Sequence, residues 1–366
     1  MERKLASIQR IKSLEPIEGA DRIEKATMFD LGWQCVVAKG MEVGDAVVYF
    51  ELDSVLPELP EFEFMRESHY RVKTKRLRKC LSQGLAIPVR EVSGLWTGVL
   101  NEENETAPDG SKDIIQTEWG QDVTELLGVT KYEAPVPACL AGDVVGVRPS
   151  WVRKTNEYRI QSFPKLLDEL AGKEVYISTK LDGTSMSVYY NANLDEDDNP
   201  FGVCGRNMNF KESEKCSLWN VANRYNLKEK LPEFVAATYG QSAVGLVIQG
   251  ELCGPGINKN RMGYKELDFY VFNVYSLDTG DFMGLSDMAY TCSQLGLKTV
   301  PIEEVVPFDF TIDELLEKAE GKYENTKNNK EGIVIRTTLP ESSDVLGSRL
   351  LGCKCINNQY LLKDED

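Results

Sequence analysis

The sequence predicts an α+β protein of two domains, a small β-barrel followed by a larger domain of mixed strands and helices. Residues 1–95 contain short apolar segments separated by turn residues, which is typical of a small barrel. From about residue 150, strand and helix patterns follow one another without regular βαβ alternation. We place the first domain at residues 1–135, with a polar surface insertion at about 97–121, and the second at 150–366.

The first domain has three clear strand-forming stretches, ADRIEKATMFDLGWQCVVAKG, GDAVVYFELDSVLP and LSQGLAIPV. In the second domain, SFPKLLDELAGK is typical of a short helix, with Pro164 near its first turn and Gly172 after its end. EVYISTKLDGTSMSVYY follows and predicts a hairpin, because Asp-Gly favours a tight turn between strands. Later strands are expected in VGLVIQGEL, ELDFYVFNVYSL and EGIVIRTT, and helices at 213–230, 286–295 and 312–321.

Composition excludes several classes of function. The 366 residues are 42% hydrophobic and 27% charged, as in globular proteins, and His69 is the single histidine, which argues against histidine-based catalysis or metal binding. Nine cysteines without a C-x-x-C pair indicate reduced thiols. With no apolar signal segment and no membrane-length apolar run, we expect a cytoplasmic protein, or a nuclear one in a eukaryote, that is not secreted and does not bind a membrane.

The segment STKLDGTS places Lys180 at the end of an apolar strand. Side chains alternate along a strand, so Lys180 and Asp182 are expected to project to the same side. A lysine amine with a pKa near ~10.4 is a poor nucleophile at pH 7, and lowering that pKa by about 3 requires roughly 4 kcal/mol of differential interaction. Burial, a metal or a second cation can supply this. The alternative is a solvated lysine on an ordinary surface hairpin.

Five further segments that contain candidate site residues follow Lys180 along the chain. They combine strand patterns with glycine, a carboxylate, an aromatic residue or a lysine. The segments are VCGRN (203–207), IQGELCG (248–254), LDFYVFNV (267–274), EGIVIR (331–336) and LGCKCIN (351–357).

Together with K-x-D-G, this ordered set resembles motifs I, III, IIIa, IV and V of the covalent nucleotidyltransferases, the ATP-dependent ligases and capping enzymes. The resemblance covers about residues 150–363. It implies that Lys180 attacks the α-phosphate of ATP, forms lysyl-AMP and releases pyrophosphate, after which AMP passes to a 5′-phosphate end and a 3′-OH displaces it. It also implies a divalent cation, Mg²⁺ or Mn²⁺, held by Asp182, Glu251 and Glu331.

The same resemblance assigns the nucleotide contacts. Lys354 binds the α-phosphate, Phe272 stacks on adenine, and Arg206 and Asn207 contact the ribose or the incoming end. The alternatives are strand-end carboxylates facing water, a core phenylalanine and an edge lysine. Gly352 departs from the K-x-K pattern of many relatives at motif V. The implied nucleotide-binding residues are Thr179, Leu181, Gly183, Arg206, Asn207, Glu251, Phe272 and Lys354.

Domain order separates the ligases further. DNA ligases and capping enzymes place an OB domain after motif V, whereas here the β-rich domain comes first. An N-terminal OB-like domain before a nucleotidyltransferase domain is similar to the RNA ligase 5 family of the Deinococcus and Naegleria type. KTNEYRIQ (154–161), with Asn156 in place of the usual Asp, and NNQYLL (357–362) are also similar to that family. The family implies sealing of 3′-OH/5′-phosphate breaks, with RNA on the 3′-OH side of a nicked duplex. We also expect the protein to be a monomer.

Residues 71–79, RVKTKRLRK, hold six basic residues although the formal net charge is −16. In a strand, Arg71, Lys73, Lys75 and Lys79 would share one face that follows phosphates or closes over those of ATP. The alternative is an edge strand protected by lysines. The residues expected to contact nucleic acid or phosphate are Arg71, Lys73, Lys75, Arg76, Arg78, Lys79, Lys154, Arg159 and Gln161.

Two rival functions remain. The enzymatic rival is a DNA-specific ligase or a GTP-using transferase on the same scaffold. The other rival is a non-catalytic OB-type RNA-binding protein, against which the set of acidic residues and lysines argues.

Overall fold

The structure is a computed structural model, and it contains two compact units. The first unit comprises Met1–Pro135 together with Gln161–Pro164 and Asp364–Asp366. The second unit comprises Val136–Ile160 and Lys165–Lys363. Within the described part of the chain, no helix is long and apolar enough to cross a membrane. The residues described are 3–92, 119–132, 144–194 and 199–362.

The first unit is built on a five-stranded antiparallel sheet with the spatial order β3-β2-β1-β4-β8. Short pairs β5–β9 and β6–β7 lie outside this sheet, and 3₁₀ turns occupy Pro60–Ser68 and Val89–Glu91. Most of the predicted insertion at 97–121 lies outside the described residues. The strands are β1 (Ala6–Pro16), β2 (Ile23–Met28), β3 (Gln34–Ala38), β4 (Ala46–Phe50), β5 (Ser54–Val55), β6 (Lys75–Leu77), β7 (Cys80–Ser82), β8 (Leu85–Pro88) and β9 (Thr130–Lys131).

The long strand β1 makes the sheet curl. Its first half pairs with β4 and its second half with β2, and the register shifts between Ile11 and Ser13. Such a bulge bends a strand and increases its twist. The large side chains of Ile8, Trp33 and Phe50 are fully buried inside the curl. This arrangement agrees with the predicted small barrel.

The second unit contains two large sheets. One has seven strands in the order β10-β15-β14-β13-β16-β17-β18, and the other has five in the order β11-β23-β20-β12-β19. Their strands are β10 (Val144–Val147), β11 (Tyr158–Arg159), β12 (Glu174–Lys180), β13 (Thr184–Asn191), β14 (Phe201–Cys204), β15 (Met208–Phe210), β16 (Gly245–Cys253), β17 (Asp268–Ser276), β18 (Lys298–Thr299), β19 (Ile302–Pro307), β20 (Gly332–Thr337) and β23 (Gly352–Ile356), with the separate pair β21 (Ser342–Ser343) and β22 (Arg349–Leu350).

Helices cover these sheets. Trp219, Leu231 and Met288 on α2, α3 and α4 belong to one buried cluster with the seven-stranded sheet, and α5 packs against β20 and β23. The helices are α1 (Leu166–Leu170), α2 (Ser217–Arg224), α3 (Leu227–Tyr239), α4 (Leu285–Leu295), α5 (Ile312–Ala319) and α6 (Asn358–Leu361).

One predicted helix is divided in two. Instead of a single helix over 213–230, α2 ends before Tyr225 and α3 begins after Asn226, whose φ is 53°. Asparagine enters the left-handed region more readily than most residues, so it can accommodate this corner. The prediction at 312–321 matches α5, where Thr311 and Glu314 form a capping box.

The predicted hairpin around the Asp-Gly pair is wrong. Strand β12 pairs with β19 and β20, whereas β13 pairs with β14 and β16, so residues 181–183 cross from one sheet to the other. Neither Asp182 nor Gly183 has the positive φ that a tight Asp-Gly hairpin turn requires. Glycine is needed here for space, because a Cβ at Gly183 would lie 2.4 Å from the Leu252 carbonyl oxygen and 2.6 Å from Glu251 Cγ.

This crossing predicts that Gly183→Ala destabilises the protein by about 1–3 kcal/mol, because a backbone oxygen cannot move aside as a flexible side chain can. Thermal unfolding followed by circular dichroism measures the effect. Gly146→Ala is the matched control, since a Cβ there meets nothing within 4 Å. Equal unfolding midpoints for the two variants would contradict the close approach.

Candidate active site

A pocket of about 290 Å³ lies in the second unit at the end of β12. It collects most of the nucleotide-site residues expected from the sequence. Asn207 is not among its lining residues, although it follows Arg206 directly in the chain. The expected residues that line the pocket are Thr179, Lys180, Leu181, Gly183, Arg206, Glu251, Phe272 and Lys354.

Lys180 is held at the end of a strand pair. It is the last residue of β12 and pairs with Gly332, the first residue of β20. Its Nζ lies 2.8 Å from Oε1 of Glu331, with 25% of the lysine side chain and 17% of the glutamate side chain exposed. The amine is therefore sheltered, accessible from the pocket and paired with a carboxylate.

The protonation of the two pocket lysines differs from the sequence expectation. Burial lowers the pKa of the Lys180 amine, but the carboxylates of Glu331 and Glu251 outweigh burial and raise this pKa above its ordinary value. The depressed pKa belongs to Lys354, where burial, together with the charges of Lys180 and Arg159, lowers it to about 7. Lys180 is thus an ammonium that must lose a proton before it can act as a nucleophile.

The carboxylates of Glu251, Glu331 and Asp182 interact electrostatically near the lysine. Burial raises the pKa of Glu251 to about 7, and the negative charges of Glu331 and Asp182 add to this effect. Asp182 Oδ1 accepts a hydrogen bond from Asn258 Nδ2 at 2.9 Å, and its Oδ2 lies 3.5 Å from Arg261 Nε.

The described residues do not form a group of three Asp, Glu, His or Cys side chains arranged around one metal position. The metal site of Asp182, Glu251 and Glu331 therefore stays a prediction. Its donor chemistry suits the cation nevertheless, because carboxylate oxygens and water are the ligands that Mg²⁺ and Mn²⁺ prefer.

Aromatic and cationic groups form another part of the pocket wall. Phe272 is half-buried on β17 and lines the pocket, so it is not a simple core residue. The guanidinium of Arg336 lies 5.5 Å from the centre of its ring. Arg206 is exposed at the pocket, whereas the carbonyl of Asn207 accepts a hydrogen bond from the Arg148 backbone N–H.

The basic segment 71–79 does not form the single strand expected from the sequence. It contains β6 and continues into the β6–β7 hairpin, whose turn is formed by Arg78 and Lys79 with φ values of 49° and 67°. This turn reverses the chain, so the residues cannot share one strand face.

The basic side chains of this segment also differ in their surroundings. Arg71 pairs with Asp53 at 2.6 Å and stacks on Tyr132 at 3.7 Å, so its charge is already used within the first unit. Lys73 is half-buried. The basic side chains exposed on the β6–β7 hairpin are Lys75, Arg76, Arg78 and Lys79.

The other three expected phosphate contacts lie in different places. Lys154 lines a second cavity of about 800 Å³ in the second unit. Arg159, on β11, is in register with Lys354 on β23. Gln161 is buried in the first unit. The segment 154–161 therefore does not form one continuous binding row.

The structure adds an ion pair that sequence reasoning missed. Arg336 is almost fully buried and forms a short salt bridge with Glu157, and both residues line the pocket. Burial and the Arg336 guanidinium oppose each other at Glu157, and its pKa is lowered overall. Both residues lie in segments singled out in the sequence, EGIVIR and KTNEYRIQ, but no spacing rule links positions so far apart.

Gly352 lies beside this ion pair. A Cβ at residue 352 would lie 2.9 Å from the Ile335 carbonyl oxygen and 3.0 Å from Arg336 Cγ. Because Gly352 has no side chain, Arg336 has room to pack against this position of the strand.

Comparison with known protein families gives two matches along the chain. A model described as RNA ligase matches residues 173–349. A model described as an OB-fold domain matches residues 5–89. No curated protein matches the chain by sequence.

Solved structures give similarity over the whole chain. A variant of the Naegleria gruberi RNA ligase with AMP and Mn is 30% identical, covers 98% of each chain and has a TM-score of 0.79. A variant of the same ligase with ATP and Mn is 31% identical over 100% of each chain, with a TM-score of 0.79. The ligase with PPi is 30% identical over 100% of each chain, with a TM-score of 0.78. These similarities confirm the predicted α+β fold with an N-terminal OB-like domain.

The ion pair predicts that Arg336→Met lowers the free energy of unfolding by about 3 kcal/mol, because Glu157, whose side chain is only 22% exposed, keeps its charge without a partner. Chemical denaturation measures the change. The double variant Glu157→Gln/Arg336→Met is expected to recover part of the loss, since neither charge remains. Arg224→Met is the control and should cost less than about 1 kcal/mol, because Asp268 keeps its ion pair with Lys298. A double variant as unstable as the sum of its single changes would contradict the coupling.

Proposed function

Because the chain belongs to the RNA ligase family, whose ATP-dependent members join RNA ends, we propose that the pocket around Lys180 carries out each chemical step of that reaction. The resemblance found in the sequence is thereby confirmed, and ATP and a divalent cation are the cofactors. The observation that carries the assignment of the site is a sheltered lysine amine, 2.8 Å from Glu331, in a pocket that also contains the half-buried Lys354 and the half-buried Glu251.

In the first step, the amine of Lys180 attacks the α-phosphorus of ATP. A P–N bond forms, the bond from the α-phosphorus to the bridging oxygen breaks and pyrophosphate leaves. The Lys180 ammonium gives up one proton before the attack and its nitrogen gives up a second after it, both to solvent. In the second step the 5′-phosphate of an RNA end takes AMP from the lysine, and in the third a 3′-OH attacks that activated phosphate and releases AMP. Lys180 forms and breaks a covalent bond in the first two steps, so no other side chain can replace it.

Lys354 is suited to hold the α-phosphate. Its amine is buried close to the positive charges of Lys180 and Arg159, and its pKa of about 7 reflects this repulsion and the cost of burial. A phosphate between these groups would favour the charged form of Lys354 and would itself be stabilised as negative charge moves onto its oxygens. The placement also orients the phosphorus toward the Lys180 amine.

The acidic residues of the site are suited to bind a divalent cation. Glu251 and its neighbours Glu331 and Asp182 repel one another, which contributes to the raised pKa of Glu251. A bound divalent cation would neutralise the α-phosphate and favour the uncharged lysine. Glu331 additionally orients the Lys180 amine through the ion pair.

The remaining pocket residues fit the nucleoside. Phe272 presents a half-buried ring at the pocket, where adenine can stack, and Arg206 is exposed at the same pocket for the ribose or the incoming RNA end. Thr179, Leu181 and Gly183 form the wall beside the nucleophile, where backbone groups can contact the base.

For the nucleic acid, we propose a nicked duplex with RNA on the 3′-OH side, sealed by a monomer. The exposed basic residues of the β6–β7 hairpin support phosphate binding, because they form a locally positive surface on a chain whose net charge is −16. We further propose a cytoplasmic or nuclear location, which is supported by eight free cysteines in the described residues.

We expect Lys180→Ala to abolish covalent labelling of the protein by α-labelled ATP with Mg²⁺ or Mn²⁺, because the proposed P–N bond forms on the Lys180 amine. Denaturing gel electrophoresis measures the label. Lys265→Ala, which removes an exposed lysine of the same unit, is the control and should label like the unmodified chain. If the unmodified chain takes no label from ATP, the assignment of this pocket fails. Labelling by GTP instead, or equal sealing of RNA-ended and DNA-ended nicks, would favour the rival transferase or DNA ligase.

The hairpin predicts a salt-dependent change in binding. Replacing Arg76, Arg78 and Lys79 together by glutamine should reduce the slope of log affinity against log salt by about 2–3 for a nicked duplex containing RNA, since each lost phosphate contact removes about one. Fluorescence anisotropy at several salt concentrations measures the slope. The control replaces three exposed basic residues of the same unit, Lys12, Arg22 and Lys39, by glutamine. An equal decrease in both variants would indicate net charge rather than a binding surface.

A further inference from the structure

Tyr323 joins the two chain segments that carry the Lys180–Glu331 ion pair. Its hydroxyl donates a hydrogen bond to the Lys180 carbonyl oxygen at 3.0 Å. The same hydroxyl accepts a hydrogen bond from the Glu331 backbone N–H at 3.1 Å. One oxygen atom therefore contacts the backbone of both residues whose side chains form the ion pair.

The position of this bridge follows from the strand register. The pairing of β12 with β20 ends at Lys180 and Gly332, and the next residues of the two strands, Leu181 and Glu331, are not paired with each other. Beyond this end the strands would separate without a further connection. The Tyr323 hydroxyl supplies this connection next to Lys180, because it bonds to the backbone of both strands.

The hydroxyl is itself held firmly. The ring of Tyr323 is buried, with 5% of the residue exposed, in a cluster that includes Leu181, Cys253 and Met262. Burial is the main cause that raises the pKa of Tyr323, so the hydroxyl keeps its proton and remains a donor. Thr326 closes the turn that presents the tyrosine, because its Oγ1 donates to the Tyr323 carbonyl at 3.0 Å.

Glu331 is fixed from its other side as well. Its carbonyl accepts a hydrogen bond from the Asn357 backbone N–H at 2.9 Å, and Asn357 Nδ2 donates to the Lys330 carbonyl at 3.0 Å. With Tyr323 on its N–H, both backbone groups of Glu331 have tertiary partners. The carboxylate that pairs with Lys180 thus projects from an immobilised backbone.

From this geometry we infer that Tyr323 is a positioning residue for lysine adenylylation, holding the Lys180 amine and the Glu331 carboxylate in the relative position that attack on the α-phosphorus requires. The inference rests on the proposed function. Tyr323 does not touch the reacting atoms and acts through the backbones of two residues that do. Small displacements at a reacting centre can reduce rates about a hundredfold, so loss of one bridging hydroxyl is expected to affect the chemical step.

Tyr323→Phe tests this, because it removes the hydroxyl and keeps the buried ring. We expect the rate constant for lysyl-AMP formation at saturating ATP to fall about tenfold or more, while the ATP concentration for half-maximal rate changes less than about threefold. Rapid-quench measurement with α-labelled ATP gives both values. The control is Tyr225→Phe, which removes a hydroxyl bonded to Asp268 at 2.7 Å in the same unit and should keep the unmodified rate constant.

The outcomes separate cleanly. A Tyr323→Phe rate constant within twofold of the unmodified chain overturns the inference. So does a loss confined to the half-maximal ATP concentration, or a loss matched in Tyr225→Phe. To separate positioning from folding, 4-aminophenylalanine at residue 323 retains a donor and should restore a substantial part of the rate constant; no recovery in a folded protein also overturns the inference. Absence of lysyl-AMP in the unmodified chain would instead refute the proposed function.

Discussion

The ion pair between Lys180 and Glu331 is the interaction on which the site depends. It lies at the end of the β12–β20 pairing. The register of the five-stranded sheet, and not a loop, therefore sets the position of the Lys180 backbone. A long lysine side chain ordinarily samples many rotamers, and the carboxylate at 2.8 Å restricts this one. The same contact keeps the amine protonated, which means that the group that orients the nucleophile also holds it inactive until the surrounding charges change.

The pocket balances positive and negative charge at short range. The positive charge of Lys180 repels that of Lys354, and the negative charges of Glu331 and Asp182 repel that of Glu251. The pocket therefore contains like charges of both signs close together. Such an arrangement is unfavourable for the protein alone, and under the proposed function a phosphate and a divalent cation that bind together would relieve the repulsion. Ionisable groups with shifted pKa values are typical of catalytic and ligand-binding sites. The partial burial of these side chains strengthens the repulsion, because less water screens the charges than at an open surface.

Support from outside the ion pair comes from Tyr323, which lies in none of the segments singled out in the sequence, and from residues of those segments whose contacts the motifs do not predict. Tyr323 fixes the backbone beneath the amine, Asn357 fixes the backbone of Glu331, and Arg336 with Glu157 occupies the wall next to Gly352. These contacts are long-range in the chain, and they hold the groups that bind or react. The glycine at 352 is consistent with this arrangement, since a larger side chain would compete with Arg336 for the same space.

Local pattern indicated the order of the two domains and most strand and helix positions, because periodicity is a property of adjacent residues. The resemblance of short motifs to the nucleotidyltransferases selected Lys180, Glu251, Phe272, Glu331 and Lys354 as candidate site residues. Tertiary structure alone decided that the Asp-Gly segment crosses between sheets, that the basic segment folds into a hairpin, and that Lys354 and not Lys180 has the depressed pKa. It also brought Tyr323 and Arg336 to the site. The physical reason is that sheet partners, close backbone approach and the mutual distances of buried charges depend on residues far apart in the chain, which no local pattern encodes.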